Sequence, residues 1–325
     1  MKPFDSFLAP QLHEFLCYRE SLGYETERRT YRLRAFDRYL KQTAADWSSF
    51  QPAFFLRMRT DLNKQPAYTN KILTTVRVFF QFLIRRGYVE ENPLRDIPPV
   101  KENTTIPFIF SPDQTHQLLA ALCKTIRTTH QSAFLIDLAV YLAILLLARC
   151  GLRISEPLRL LKHHYRTDDG TLYIEKTKFK KHRLIPIPKT AITEIDNYLS
   201  VRKQLRPHEQ NPCLLAGKHY QPLKVDQVRY RFHQAVKDIG LEQQRKTVGN
   251  MTFNPPVPHA LRHSFAINTL KRIIERGDSP QDALHVLAAY LGHVNYRCTA
   301  VYLKIADAQS RNNLYDFTIW QDWKL

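Results

Sequence analysis

His259-Ala260-Leu261-Arg262-His263 lies in the last third of the chain, and Leu291-Gly292-His293 and Val301-Tyr302 follow it. Further back the sequence contains Gly151-Leu152-Arg153-Ile154-Ser155-Glu156. His259 and Arg262 are three positions apart, so on one helix both side chains project from the same face. His293 and Tyr302 are nine residues apart. Two arginines, two histidines and a late tyrosine therefore follow one another in a defined order.

Metal chemistry is a possible alternative for the two histidines of the first motif. A zinc-protease helix needs a glutamate directly after its first histidine, and position 260 is alanine. We therefore predict no metal, and we expect His263 to pack or hydrogen-bond in the core, away from any phosphate. The five cysteines contain no CxxC pair and fit neither a zinc site nor a disulfide framework, as in a cytoplasmic protein with reduced thiols.

The chain is strongly basic. Its 48 lysines and arginines exceed its 30 aspartates and glutamates, which gives a net charge of +18. Such an excess predicts a polyanionic partner, either nucleic acid or an acidic membrane surface, with a merely soluble basic protein as the plain alternative. The longest apolar stretch, 133–148, includes Asp137 and is short for a membrane span, so we expect a buried core helix.

Two domains are expected, because 325 residues exceed what one hydrophobic core usually supports. Apolar residues at helical spacing predict a bundle in residues 1–98, with two helices over 4–43 and one each over 53–62 and 67–87. Prolines interrupt the chain between 92 and 107, so 99–108 is predicted to be a linker. Residues 109–325 form the second predicted domain.

The second domain is predicted to be mostly helical. The scarcity of glycine, with only 9 residues, also favours helices. The predicted helices cover 111–127, 132–149, 189–204, 222–239, 258–276, 281–291 and 296–304. Residues 171–175 and 183–187 are predicted to form two short strands joined by a lysine-rich turn, and this hairpin is the only clear β element.

Together the motifs resemble those of the tyrosine recombinases, the phage-integrase and Xer-type family, over roughly residues 110–305. The resemblance implies a mainly α fold. A helical bundle (a SAM-like core-binding domain) that grips DNA would precede a larger, mostly helical catalytic domain with a small β-hairpin sheet. It also implies attack by a tyrosine hydroxyl on a DNA phosphodiester, with no cofactor. Two duplexes need four active sites, so a homo-tetramer on double-stranded DNA is implied, in the cytoplasm and associated with the nucleoid.

The resemblance assigns catalytic roles to Arg153, Lys178, His259, Arg262, His293 and Tyr302. Arginine suits a phosphate, because its planar fork bonds two oxygens and keeps its charge. Arg153 and Arg262 would clamp the phosphate, and His259 and His293 would hydrogen-bond it, with His259 also placed to accept the tyrosine proton. The nine-residue spacing from His293 favours Tyr302 over Tyr296 as the nucleophile.

The lysine-rich turn between the two strands supplies the remaining role. In the family, a lysine at this turn protonates the leaving 5′ oxygen. Lys178 takes that position, and Lys176 competes with it, because a one-residue slip in a hairpin turns a side chain to the other face.

Other residues are expected to support the site. Glu156 is expected to orient a nearby cation or backbone amide. The expected phosphate contacts, which add affinity without reading sequence, are Lys180, Lys181 and Arg183 at the hairpin and Arg28, Arg29 and Arg32 on the second helix. A solvated helix face is the alternative for the last three.

Two other functions compete with a recombinase: a catalytically silent DNA-binding accessory or regulatory protein, and a type IB topoisomerase. The complete set of six residues argues against the first, and the small N-terminal domain and the His259 motif argue against the second. Residues 270–284 are longer than in compact Xer-type relatives by about two helical turns. This length favours the recombinase of a mobile element over a chromosome-dimer resolvase.

Overall fold

The computed structural model describes residues 3–175, 182–218, 221–293 and 299–303. The chain forms two compact units, Met1–Thr104 and Thr105–Leu325. The boundary lies within 99–108, the segment predicted to be a linker, and that linking role stays a prediction.

The first unit is a helical bundle. Its helices are α1 (Ala9–Ser21), α2 (Glu27–Gln42), α3 (Pro52–Asp61) and α4 (Pro66–Arg85), with a 3₁₀ turn at Trp47–Ser49. The apolar stripe of α4 is buried, and it consists of Ile72, Val76, Phe79, Phe80 and Leu83. Each such side chain contributes about 1.5–3 kcal/mol when fully buried. This stripe packs against α2 and α1 and organises the bundle.

The second unit is built around one apolar helix. Its helices are α5 (Pro112–Lys124), α6 (Gln131–Cys150), α7 (Lys189–Leu205), α8 (Val225–Asp238), α9 (Pro258–Glu275) and α10 (Pro280–Leu291), and residues 299–303 are also helical. Helix α6 packs against α5, α7, α8 and α9. In the part of the chain described, it is the one helix long and apolar enough to cross a membrane, and most of it is buried inside the unit. The prediction of a core helix is therefore confirmed.

A buried acid on α6 is neutralised from two sides. The carboxylate of Asp137 accepts hydrogen bonds from Arg127 at 2.8 Å and from Arg231 at 2.7 Å. Because an unpaired buried charge is costly, these two arginines allow a polar residue in an otherwise apolar helix.

The predicted hairpin forms an antiparallel sheet with one extra short strand. Its order is β2 (Tyr165–Arg166), β3 (Thr171–Ile174) and β4 (Arg183–Pro186), and Ile174 pairs with Arg183. Among the described residues this sheet is not the only β element, so that prediction is wrong. A second sheet has the order β1 (Thr104–Ile106), β6 (Met251–Phe253) and β5 (Lys246–Val248). Strands of three residues are too short to show an alternating pattern in sequence.

Candidate active site

Arg153 follows the sharp end of helix α6. Gly151 ends the helix with a φ of +58°, and a Cβ there would lie 2.5 Å from Phe265 Cδ1, so only glycine fits. The Nη1 of Arg153 donates to Glu156 Oε1 at 2.9 Å, and its Nη2 donates to the carbonyl of Gly292 at 2.9 Å. Its side chain is 20% exposed. The guanidinium is thus held by two acceptors, while part of the side chain stays exposed to solvent.

Glu156 is a buried carboxylate shared by two arginines. It accepts from the backbone N–H of Arg153 at 2.9 Å, as well as from that residue's guanidinium and from Arg183. Burial alone would raise the pKa of Glu156, but the hydrogen bonds and charges of Arg183 and Arg153 lower it below its usual value. Glu156 is therefore ionised, and its contacts to a cation and a backbone amide are of the kind that the sequence predicted.

Arg183 has three protein partners in the site. Its Nε donates to the carbonyl of Tyr290 at 2.8 Å, and its Nη1 and Nη2 donate to Glu156 at 3.1 and 2.9 Å. Its side chain is only 9% exposed. The phosphate contact stays a prediction for Arg183, whose guanidinium is held by these partners inside the protein. Arg183 connects strand β4 to Glu156 and to the end of α10.

Arg262 is buried between two helix ends. Its Nη1 donates to the carbonyl of Gly151 at 2.8 Å, and its Nη2 donates to that of Leu291 at 2.5 Å. These carbonyls close α6 and α10, where the helix dipole favours a positive charge. Burial, followed by the charge of Arg153, lowers the pKa of Arg262 to about 10, so it stays positive near neutral pH.

His259 and His263 lie near each other on α9, with ring centroids 4.7 Å apart. His259 is exposed, whereas His263 is half-buried. The Nδ1 of His263 lies 2.8 Å from the hydroxyl of Tyr302, at hydrogen-bonding distance. The sequence predicted that His263 would pack or hydrogen-bond in the core, and the structure shows such a hydrogen bond, with Tyr302 as the partner. The rotation of about 100° from Arg262 to His263 along the helix brings the ring of His263 onto the tyrosine, which the motif alone does not reveal.

Tyr302 is packed among the histidines. Its side chain is buried, and its ring centroid lies 6.1 Å from that of His293. The Nδ1 of His293 lies 2.7 Å from Thr299 Oγ1, one turn before Tyr302. Gly292 ends α10 with a φ of +66°, and a Cβ there would lie 3.0 Å from Arg183 Nη1. The absence of a side chain at Gly292 therefore leaves room for the guanidinium of Arg183.

The three histidines of the site, His259, His263 and His293, have lowered pKa values. Burial, then the charges of His259 and Arg262, lowers the pKa of His263 to about 3. Burial, then Arg262 and Arg153, lowers that of His293 to about 4. Partial desolvation, then the same two arginines, lowers that of His259. Burial, reinforced by the cations of the site, thus disfavours the protonated imidazoles.

Several predicted residues lie outside the described part of the chain, and their roles stay predictions. They are Lys176, Lys178, Lys180, Lys181 and Tyr296. On α2, Arg28 is exposed, and Arg29 and Arg32 are half-buried. Burial, then the charges of Arg19 and Arg32, lowers the pKa of Arg29, which shows that these cations are close together.

Comparison with known sequences identifies the family. A sequence model described as the Phage integrase family matches residues 109–309, which is more than half of the chain. The chain belongs to the phage integrase family. It is a tyrosine recombinase, as its motifs predicted.

Relatives of this tyrosine recombinase match most of its length. A putative integrase/recombinase y4rE of Sinorhizobium fredii is 29% identical over 93% of this chain and 93% of its own. The tyrosine recombinase XerC of Alcanivorax borkumensis is 29% identical over 76% of this chain and 71% of its own.

Solved structures share the fold of this tyrosine recombinase. XerH site-specific recombinase bound to a palindromic difH substrate, a post-cleavage complex, has a TM-score of 0.66 and 17% identity over 90% of this chain and 78% of its own. A lambda integrase tetramer bound to a Holliday junction has a TM-score of 0.60 and 18% identity over 89% of this chain and 77% of its own. The predicted mainly α fold is confirmed.

Proposed function

We propose that this tyrosine recombinase is a site-specific enzyme that cuts and rejoins double-stranded DNA through a 3′-phosphotyrosyl bond on Tyr302. One observation carries the proposal. Segments far apart in sequence meet at the ends of α6 and α10, where the carbonyls of Gly151 and Leu291 hold Arg262 and that of Gly292 holds Arg153. Tyr302 packs against the histidine that follows Arg262.

The chemistry requires fixed positive charge. As a phosphodiester is attacked, negative charge builds on its non-bridging oxygens, and preorganised cations stabilise it. An arginine has five N–H donors, and Arg262 uses two on backbone carbonyls, which leaves others for a phosphate. We assign the phosphate clamp to Arg153 and Arg262. His259 and His293 would donate hydrogen bonds as neutral rings.

The bond changes are those of a transesterification. The Oη of Tyr302 forms a bond to phosphorus, and the bond from phosphorus to the 5′ oxygen breaks. We assign the phenol proton to His259, because the arriving phosphate anion would raise the pKa of that imidazole. The leaving oxygen takes its proton from Lys178, with Lys176 as the alternative. A 5′-hydroxyl from the partner strand then attacks the phosphotyrosine and restores Tyr302.

The partners follow from the same proposal. The solved relatives named above include DNA complexes and a tetramer, so we propose that four copies of this chain act on a double-stranded recombination site in the cytoplasm, at the nucleoid. Arg28, Arg29, Arg32, Lys180 and Lys181 would contact DNA phosphates. The reaction would integrate, excise or resolve a mobile element or replicon.

Trapping on DNA tests the function. On a nicked substrate that loses the short fragment carrying the freed 5′-hydroxyl, the wild-type protein should form an SDS-resistant adduct, and Tyr302→Phe should bind DNA equally well without forming it. Tyr230→Phe, which changes a tyrosine that is 64% exposed, is the matched control and should behave as wild type. An adduct with Tyr302→Phe would contradict the proposal and make Tyr296 the next candidate.

Activity on two sites separates the competing functions. The wild-type protein should exchange strands between two recombination sites. Relaxation of supercoils without exchange would instead support a topoisomerase. Binding without any adduct would support a silent accessory protein.

A further inference from the structure

His263 holds the hydroxyl of the proposed nucleophile. Its Nδ1 lies 2.8 Å from Tyr302 Oη, and the two rings meet at an angle of 63° with centroids 5.6 Å apart. Tyr302 is 5% exposed, so its ring has little room to take another orientation. This contact differs from the expectation that His259 serves the tyrosine.

A second histidine anchors the same short helix. His293, just past α10, bonds Thr299 at 2.7 Å, whereas His263, on α9, bonds Tyr302. Residues 299–303 are therefore hydrogen-bonded both to α9 and to the residue after Gly292 at the end of α10. Of these two bonds, only that of His263 reaches the reacting oxygen.

We propose that His263 is a positioning residue that fixes the direction of the Tyr302 hydroxyl before it attacks the phosphate. The inference rests on the proposed function, because it takes Tyr302 to be the nucleophile. An oriented reactant gains rate because fewer of its arrangements are unproductive, and a misplacement of about 1 Å can cost about 10²-fold.

The surroundings of His263 favour holding over proton transfer. Burial and the neighbouring His259, Arg262 and His293 lower its pKa to about 3, so its protonated form is disfavoured. A neutral ring with its proton on Nδ1 donates to Tyr302 Oη, so this bond does not use the phenol proton that His259 is proposed to accept.

Two substitutions separate a hydrogen bond from mere packing. His263→Leu fills similar space without a polar atom, and His263→Asn keeps an amide near the position of Nδ1. Single-turnover cleavage at saturating DNA should fall by about 10²-fold in His263→Leu. His263→Asn should recover most of that loss, and DNA affinity should be unchanged in both variants.

Thermal unfolding provides a readout that does not depend on catalysis. The variant with both His263→Leu and Tyr302→Phe should lose less Tm than the sum of the losses of the two single variants, because each substitution removes the same hydrogen bond. Additive losses would show that the bond is absent in solution and would overturn the proposal.

The pH profile distinguishes positioning from proton transfer. If His263 only positions Tyr302, its loss in His263→Leu lowers the cleavage rate by the same factor at every pH. If His263 acts as a base, its loss also removes the acid limb of the pH profile. Wild-type or faster cleavage by His263→Leu, an equal loss in His263→Asn, or a vanished acid limb would each overturn the proposal. An adduct formed by Tyr302→Phe would instead overturn the proposed function.

Discussion

At the scale of single residues, the site is a cluster of cations fixed by helix ends. The carbonyls that close α6 and α10 bind Arg262, and Glu156 binds Arg153. In the proposed mechanism these contacts would orient the guanidinium groups before DNA binds, so little reorganisation would be needed when charge develops on the phosphate.

The first prediction concerns the clamp. Arg262→Lys keeps the charge but loses the planar fork that reaches two helix ends. Cleavage should fall by about 10²–10³-fold in single-turnover assays, the usual cost of one lost preorganised donor. Arg272→Lys, an exposed site further along α9, is the control. Near wild-type cleavage by Arg262→Lys would place that residue outside the chemistry.

A second prediction follows from the histidines. The folded-state pKa values of His263 and His293 are about 3 and about 4, below the usual value of 6.5. Above pH 6.5 both histidines are neutral in the folded and in the unfolded chain, so the pKa shift contributes nothing to the free energy of unfolding. As the pH falls below 6.5, the unfolded chain takes up protons first, so stability decreases toward about pH 4, by up to about 1.4 kcal/mol per pH unit for each histidine.

Urea unfolding at pH 7 and pH 5 measures this effect. The free energy of unfolding of the DNA-free protein should fall less between these values in His293→Asn than in the wild type. Equal losses would show that the imidazole of His293 is not kept neutral by folding.

The sequence predicted part of the site and not the rest. Motif order was enough to select Arg153, Arg262, His293 and Tyr302, because each matches a family position. It could not predict the partner of His263, since contact with Tyr302 depends on how α9 packs against residues 299–303. Spacing along one helix does not specify such a tertiary contact.

At the scale of elements, Arg183 links the hairpin to the rest of the site. It leaves strand β4 and reaches Glu156 and the carbonyl of Tyr290 at the end of α10. The long helices and the hairpin could be predicted from periodicity. The burial of Arg183 could not, because an arginine after a lysine-rich turn has the same pattern whether it faces solvent or a buried acid.

A third prediction tests the structural role of Arg183. Arg183→Ala leaves buried Glu156 with one arginine fewer, and should lower the free energy of unfolding by about 3 kcal/mol. Arg28→Ala, at an exposed position on α2, should leave stability unchanged and weaken DNA binding. Denaturant unfolding and DNA titration on both variants make the comparison. Reduced DNA affinity without loss of stability in Arg183→Ala would instead support a phosphate contact for Arg183.

At the scale of the whole molecule, two units each have their own core in a chain of net charge +18. The cationic α2 belongs to the first unit, and the lysine-rich turn belongs to the second. If both units bind DNA, their tethering raises the effective concentration of one once the other has bound.

The fourth prediction is a salt dependence. Each neutralised phosphate steepens the log–log slope of affinity against salt by about 0.9. Fragments 1–104 and 105–325 should therefore each bind DNA more weakly than the full chain and with a shallower slope. If 105–325 alone matched the full chain in affinity and slope, the first unit would not grip DNA.

The covalent linkage itself tests the central claim most directly. The adduct trapped on DNA can be digested with protease and nuclease, and mass spectrometry can locate the modified residue. The expected product is a nucleotide joined through its 3′ phosphate to Tyr302. A nucleotide on Tyr296 or on any other residue would contradict it.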